Sequence, residues 1–259
     1  MANFYEILKM ADVDISREYD RLYDLFYLDN DYDESLYDYC AANFNYFPFR
    51  QRSISLQDFD ETFGFEWPQS IRGDDEETLI RFCEYIFNLC LYCVPSSSII
   101  QHINEVIKAL NYIHVQQDGM VIFVPENPSV NTVVENVEPN IGISLLKYKH
   151  HSLIGNIEGK KTILQQCAND LEGKRELLNN ANNNLSNDLF MLFNSMDIRH
   201  NNTEPSSKKY HAYIAEMDLN ELEHWYDRIY NLVLQAYLIL GDIQLFEDMV
   251  VLKAAIKQD

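Results

Sequence analysis

Glycine and proline are scarce in this chain, with eight glycines and seven prolines among 259 residues. So few glycines leave little room for a phosphate-cradling loop, and the P-loop, dinucleotide-binding and Gly-x-Ser-x-Gly fingerprints are all missing, which weakens nucleotide-dependent and hydrolase-fold readings. Cysteine is sparse too. Cys40, Cys83, Cys90, Cys93 and Cys167 are an odd, scattered set of five, which argues against a secreted disulfide framework and for free thiols in a reducing compartment. No uninterrupted apolar run is long enough to span a bilayer, and the N-terminus has no basic-then-apolar leader pattern. A soluble, cytoplasmic protein without a membrane partner is therefore expected. The last shortage is positive charge: 20 lysines and arginines face 41 aspartates and glutamates, a formal charge of −21.

What is present is enough to build a large core. Hydrophobic residues make up 47% of the chain, which excludes global disorder. The acid is unevenly spread. Residues 1–139 hold 25 acids against 8 bases, whereas residues 140–259 hold 16 acids against 12 bases. Within residues 140–211 the 9 bases outnumber the 7 acids, and four of the seven histidines (His150, His151, His200 and His211) lie there. An acidic first half repels nucleic acid and attracts a basic protein surface, over a range that screening limits to about 8 Å at physiological salt. A polyanion can be received only by the second half.

Hydrophobic periodicity predicts a mainly α protein: a helical N-terminal region ending in a small β-hairpin (1–125), a proline-marked linker (126–140) and a C-terminal helix bundle (141–259). In the first region, Ile15, Tyr19, Leu22 and Phe26 share one helical face, within a tyrosine- and aspartate-rich stretch over 4–47. That face reads either as a packing surface or as a partner-binding one. Residues 48–73, with Pro48, Gly64, Pro68 and Gly73, read as a long irregular connection pinned by Phe59, Phe63, Phe65 and Trp67. Helices are expected over 75–93, opened by acids Asp74 to Glu77, and over 97–111, capped by the serines at 96–98. The period then changes to alternation, and Tyr112–Val115, the turn at 117–119 and Met120–Val124 read as a hairpin. Asp118 in that turn, and the lack of any lysine or arginine between Lys108 and Lys147, argue against a DNA-touching wing.

In the second half, a long helix is expected from Ile157 to Leu178, broken by the asparagine run 179–184. Leu185, Leu189, Leu192, Phe193 and Met196 then give an uninterrupted apolar face. Asp218-Leu-Asn-Glu221 has the form of a capping box for a helix running to Gly241, with one more amphipathic helix over 243–257.

Three groups of residues could carry chemistry. Cys90-Leu-Tyr-Cys93 has metal half-site spacing, but it lies on a helix stripe and lacks a second pair, so buried thiols are the better reading; no metal or other cofactor is expected. His150 and His151, with Lys160 and Lys161, form either a solvated basic helix entry or an RNA-backbone contact. The cluster Arg199-His200-Asn201-Asn202, followed by Lys208, Lys209 and His211, closes the apolar helix. A C-cap explains part of it, and a phosphate-gripping arginine beside titratable histidines is the alternative.

The helix order, the Lys160-Lys161 helix, and the Arg-His-Asn-Asn cluster at the end of the third bundle helix, followed by a tyrosine-bearing helix, together resemble the HEPN-type bundles of bacterial abortive-infection and toxin–antitoxin proteins. The resemblance covers about residues 140–240. It implies a dimer through the bundle and metal-independent RNA cleavage. Arg199 would hold the scissile phosphate, His200 or His211 would move the proton, and Asn202 would orient them, with Lys160, Lys161, His150, His151, Lys208 and Lys209 along the RNA backbone. The family's histidine, four to six residues beyond its arginine, would fall on Glu204, Pro205 or Ser206, so the pattern departs here. Two functions follow as expectations. One is an accessory or effector subunit of an anti-phage system, docking a basic partner through its acidic half; the other is an active endoribonuclease.

Overall fold

The computed structural model describes residues 13–28, 34–71, 73, 75–94 and 98–256, and the chain divides into two compact units, Met1–Glu126 and Asn127–Asp259. Among the described residues it is mainly helical with one two-stranded antiparallel sheet, as the periodicity predicts. The expected helical stretches at 4–12 and 29–33, and the capping serines Ser96 and Ser97, lie outside the described residues.

The first unit is built on the helix Glu76–Cys93. Its chain begins with α1 (Ile15–Tyr23), a π-helical turn (Asp24–Leu28), α2 (Leu36–Ala42) and α3 (Leu56–Phe63). It ends with α4 (Glu76–Cys93), α5 (Ser98–Ala109), β1 (Tyr112–Gln117) and β2 (Met120–Pro125). Asp75 caps α4 by accepting from Thr78 N at 3.1 Å, and the acids behind it face the positive end of the helix dipole. Tyr19, Leu22 and Phe26 pack with Phe82, Cys83 and Ile86 of α4, so the aromatic face of α1 is core. Helix α3 is a correction to the irregular connection expected over 48–73. Ser55 caps it by accepting from Asp58 N at 3.1 Å, and Gly64 ends it at φ 69°, so the glycine that reads as a loop marker is a helix stop.

The hairpin pairs Tyr112 with Pro125 through Gln117 with Met120, and its turn residues Asp118 and Gly119 both have positive φ, as a two-residue hairpin turn requires. Side chains of α4 grip the free edge of β2. Asn88 donates to Val121 O and accepts from Val121 N, each at 2.7 Å, and Glu84 accepts from Phe123 N at 2.7 Å. These bonds satisfy backbone groups that an open edge would leave unpaired.

The second unit packs α6 (Pro128–Val134), α7 (Pro139–Lys147), α8 (Ile157–Glu172), α9 (Arg175–Ala181), α10 (Asn183–Ser195) and the short α11 (Ala212–Ala215) with α12 (Leu219–Ile256). Three expectations change here. The prolines that read as linker punctuation sit at helix starts: Pro128 follows the cap Asn127, and Val130 and Val133 of α6 are buried in this core. The long helix breaks at Gly173, before the asparagine tract, and Asn182 then caps α10 by accepting from Leu185 N at 3.1 Å. Gly241 does not stop the last helix, since an interior glycine costs only about 1 kcal/mol and no left-handed cap forms there. By length and composition α12 could cross a membrane, but Tyr226, Ile229, Tyr230, Val233 and Tyr237 are core residues of the bundle.

Candidate functional site

The Arg199 cluster lies on the loop between α10 and α11. The chain leaves α10 through Met196 and turns at Asp197, whose φ of 58° is one that aspartate tolerates better than most residues. Arg199 N then donates to Phe193 O at 2.9 Å. Asn202 holds the rest. Its backbone N donates to Asp197 Oδ1 at 2.7 Å, and its Oδ1 accepts from Asp197 N at 2.9 Å. Its Nδ2 donates to Lys209 O at 2.6 Å, and its carbonyl accepts from His211 N at 2.9 Å. Asn202 is fully buried, so it acts as a clasp that closes the loop on itself.

The cations of this region are largely committed to carboxylates. The Arg199 guanidinium bonds the Glu172 carboxylate at the end of α8 and remains partly open to solvent. Lys161 Nζ lies 2.6 Å from Asp197 Oδ2, on the other side of the clasp. Lys160 is 4% exposed, with its Nζ 2.7 Å from Glu223 Oε1 and 2.8 Å from Asp227 Oδ1 on α12; Lys149 adds a 3.0 Å contact to Asp227 Oδ2. The Lys160 Nζ also stands 5.3 Å from the centre of the Tyr148 ring, which stacks on Tyr230 at 4.0 Å. The Lys160 hydrogen bond holds Glu223 below the usual carboxylate range. For Asp227, burial pushes upward, but the hydrogen bonds from Lys160 and Lys149 outweigh it and the net displacement is downward.

Of the residues read as an RNA-facing row, Lys160 and His150 are therefore buried. The His150 Nδ1 lies 2.8 Å from Ser152 Oγ and caps the 3-10 turn His151–Leu153, with the His151 ring centre 3.9 Å away. Lys208, Lys209 and His211 are exposed, and His200 is half-buried. The structure thus separates the expected set into a loop group (Arg199, His200, Asn202, Lys208, Lys209, His211, with Lys161 reaching its base) and a buried ion cluster around Lys160.

Two features escape the motif reading. Lys160 falls on the stripe Leu164, Cys167, Leu171 of α8, and Glu223 and Asp227 stand one turn apart beside Leu222 and Tyr226 on α12. A charge on an apolar stripe, matched by two carboxylates at helical spacing, was the available signal. In the first unit, Asp60 accepts from Tyr37 and Tyr85 hydroxyls, each at 2.9 Å, and burial raises its pKa to about 6 against the lowering effect of those two bonds. No periodic pattern marks that cluster.

The Cys-x-x-Cys pair lies at the end of α4, where Cys90 is buried and Cys93 is half-buried; burial, with Cys40 beside it, pushes the Cys93 thiol up to about 12. Such a thiol stays protonated at neutral pH and is a poor nucleophile. No family model, curated protein or solved structure matches the chain.

Proposed function

We propose that this protein is an accessory or effector subunit of a bacterial abortive-infection system, with a HEPN-like bundle whose ribonuclease site is degenerate and an acidic first unit that docks a basic protein partner. The observation that carries this reading is the commitment of three of the expected RNA-contacting cations to carboxylates: Arg199 to Glu172, Lys161 to Asp197, and Lys160 to Glu223 and Asp227. An arginine must leave its carboxylate before it can grip a phosphate through parallel N–H bonds, and a buried lysine cannot reach an RNA backbone. Charge supports the docking half. Residues 1–126 carry 23 acids against 8 bases, and Glu61, Glu66 and Glu77 are among the exposed ones. The test is affinity capture of the tagged full-length chain from its native cells at low salt. One reproducible basic partner, lost when Glu61, Glu66 and Glu77 are changed together to lysine, is the expected result; capture that ignores the charge reversal counts against the reading.

The exposure of Lys208, Lys209 and His211 on a loop clasped by Asn202 keeps the nuclease as a second reading. There Arg199 would stabilise developing charge and His200 or His211 would move the proton, with no metal needed. Labelled RNA incubated with the chain in EDTA separates the two. Cleavage lost in both Arg199→Ala and His200→Ala supports the enzyme, and intact RNA after incubation with folded protein supports the degenerate site.

A further inference from the structure

Helix α12 outruns the bundle that holds its first half. Among the described residues, the buried core residues of α12 end with Tyr237, with Leu238, Ile239 and Leu240 packed beside them, while Leu245, Phe246, Met249, Val250, Val251, Leu252 and Ile256 are 37–70% exposed. Of these, Leu245, Met249, Leu252 and Ile256 are spaced four, three and four apart, which puts them on one stripe of the helix, the a/d pattern of a coiled-coil seam. Leucine holds the d positions of the free stretch, Leu245 and Leu252, and Met249 and Ile256 hold its a positions. Asp242 occupies the a position above them and marks where the seam begins.

A bilayer does not fit this face. From Asp242 to Ile256 the helix is about 22 Å long at 1.5 Å per residue, short of the roughly 30 Å hydrocarbon layer. Asp248 and Lys253 would each add about 2.5–3.5 kcal/mol at its centre. A second copy of the chain fits better, because the flanking residues are complementary across a parallel pair. In that geometry a g residue faces the e residue of the next heptad in the partner helix, five positions on. Asp248 then faces Lys253, a contact that occurs twice by symmetry. An antiparallel pair sets g against g and e against e, and loses this match. Ile256 is the one β-branched residue at an a position of the stretch, and with leucine at d it favours two strands over three.

We propose that the free stretch of α12 beyond Asp242, residues 245–256, is a dimerisation seam that pairs in parallel and in register with the same stretch of a second copy. The seam is independent of the ribonuclease question and of the bundle face. Its length of about two heptads is enough because the helix is already nucleated by the folded bundle.

Sedimentation equilibrium of the full chain across the micromolar range tests it. The expected result is a concentration-dependent mass of twice 30.4 kDa. Leu245→Glu with Leu252→Glu gives a monomer whose far-ultraviolet circular dichroism shows the helix content retained. Asp248→Lys or Lys253→Asp alone weakens dimerisation by about fivefold at low salt, and the two together restore it. Leu245→Cys and Leu252→Cys, made separately, each form a disulfide with their own copy under mild oxidation, which an antiparallel pair cannot give at both positions. A chain that is monomeric throughout, a dimer indifferent to the two glutamates, or a charge swap that fails to restore association would overturn the seam. Flotation with zwitterionic vesicles that the glutamates abolish would assign the face to lipid instead.

Discussion

Two carboxylate centres, one in each unit, face opposite ways in pH. In the first unit Asp60 is held by the neutral hydroxyls of Tyr37 and Tyr85, and its pKa rises to about 6. In the second, Asp227 and Glu223 are held by Lys160, with Lys149 on Asp227, and both are displaced downward. Burial acts against the charge in both places. What differs is the partner: a phenol offers one dipole, and a lysine offers a full charge that more than offsets desolvation. Hydrogen-bond counts alone would rank the two centres as similar; the charge of the donor separates them.

Stability follows with opposite signs. Asp60 binds its proton more tightly when folded, so its contribution falls as pH rises from about 4, the unfolded value, to about 6. Asp227 and Glu223 release theirs more readily when folded, so their contribution is present above the unfolded carboxylate range and is lost as pH falls through the depressed folded values.

The comparison breaks most sharply at Lys160. Lys160→Met leaves two carboxylates facing each other without their shared cation, and should cost about 2–3 kcal/mol in urea unfolding at pH 7. That is less than the roughly 3–5 kcal/mol of a fully buried pair, because Asp227 and Glu223 keep some solvent. A loss under 0.5 kcal/mol would show the cluster to be ornamental. Asp60→Asn keeps a group that both phenols can bond and removes the titration. It should raise stability by about 1 kcal/mol at pH 8, after discount for solvent access, and flatten the slope between pH 4 and 6. Arg199→Ala provides the exposed limit of the series: with Glu172 41% and Arg199 26% exposed, its cost should stay within about 0.5–1 kcal/mol and shrink further in high salt.

Helix type and the hairpin were legible because amphipathic periodicity and the Asp-Gly turn act locally. Boundaries were not, wherever a residue has two conventional meanings. Pro128 opens a helix as readily as it interrupts a chain, Gly64 caps as readily as it loops, and Gly241 is carried through by apolar residues on both sides of it. The Arg199 cluster was visible as an oddity after an apolar face, but its pairing with Glu172, 27 residues upstream, is a tertiary fact that spacing cannot supply. The same holds for Asp60, whose two phenols come from α2 and α4.

The clasp at Asn202 has a consequence for how this loop can change. Because Asn202 ties itself to Asp197 at one side and to Lys209 and His211 at the other, the loop's feet are fixed independently of residues 203–208. Lengthening that tip between Pro205 and Ser206 costs little more than chain closure, about 0.6 kcal/mol for each doubling. The bundle therefore carries a loop tip whose length and sequence can change while the fold that presents it stays the same.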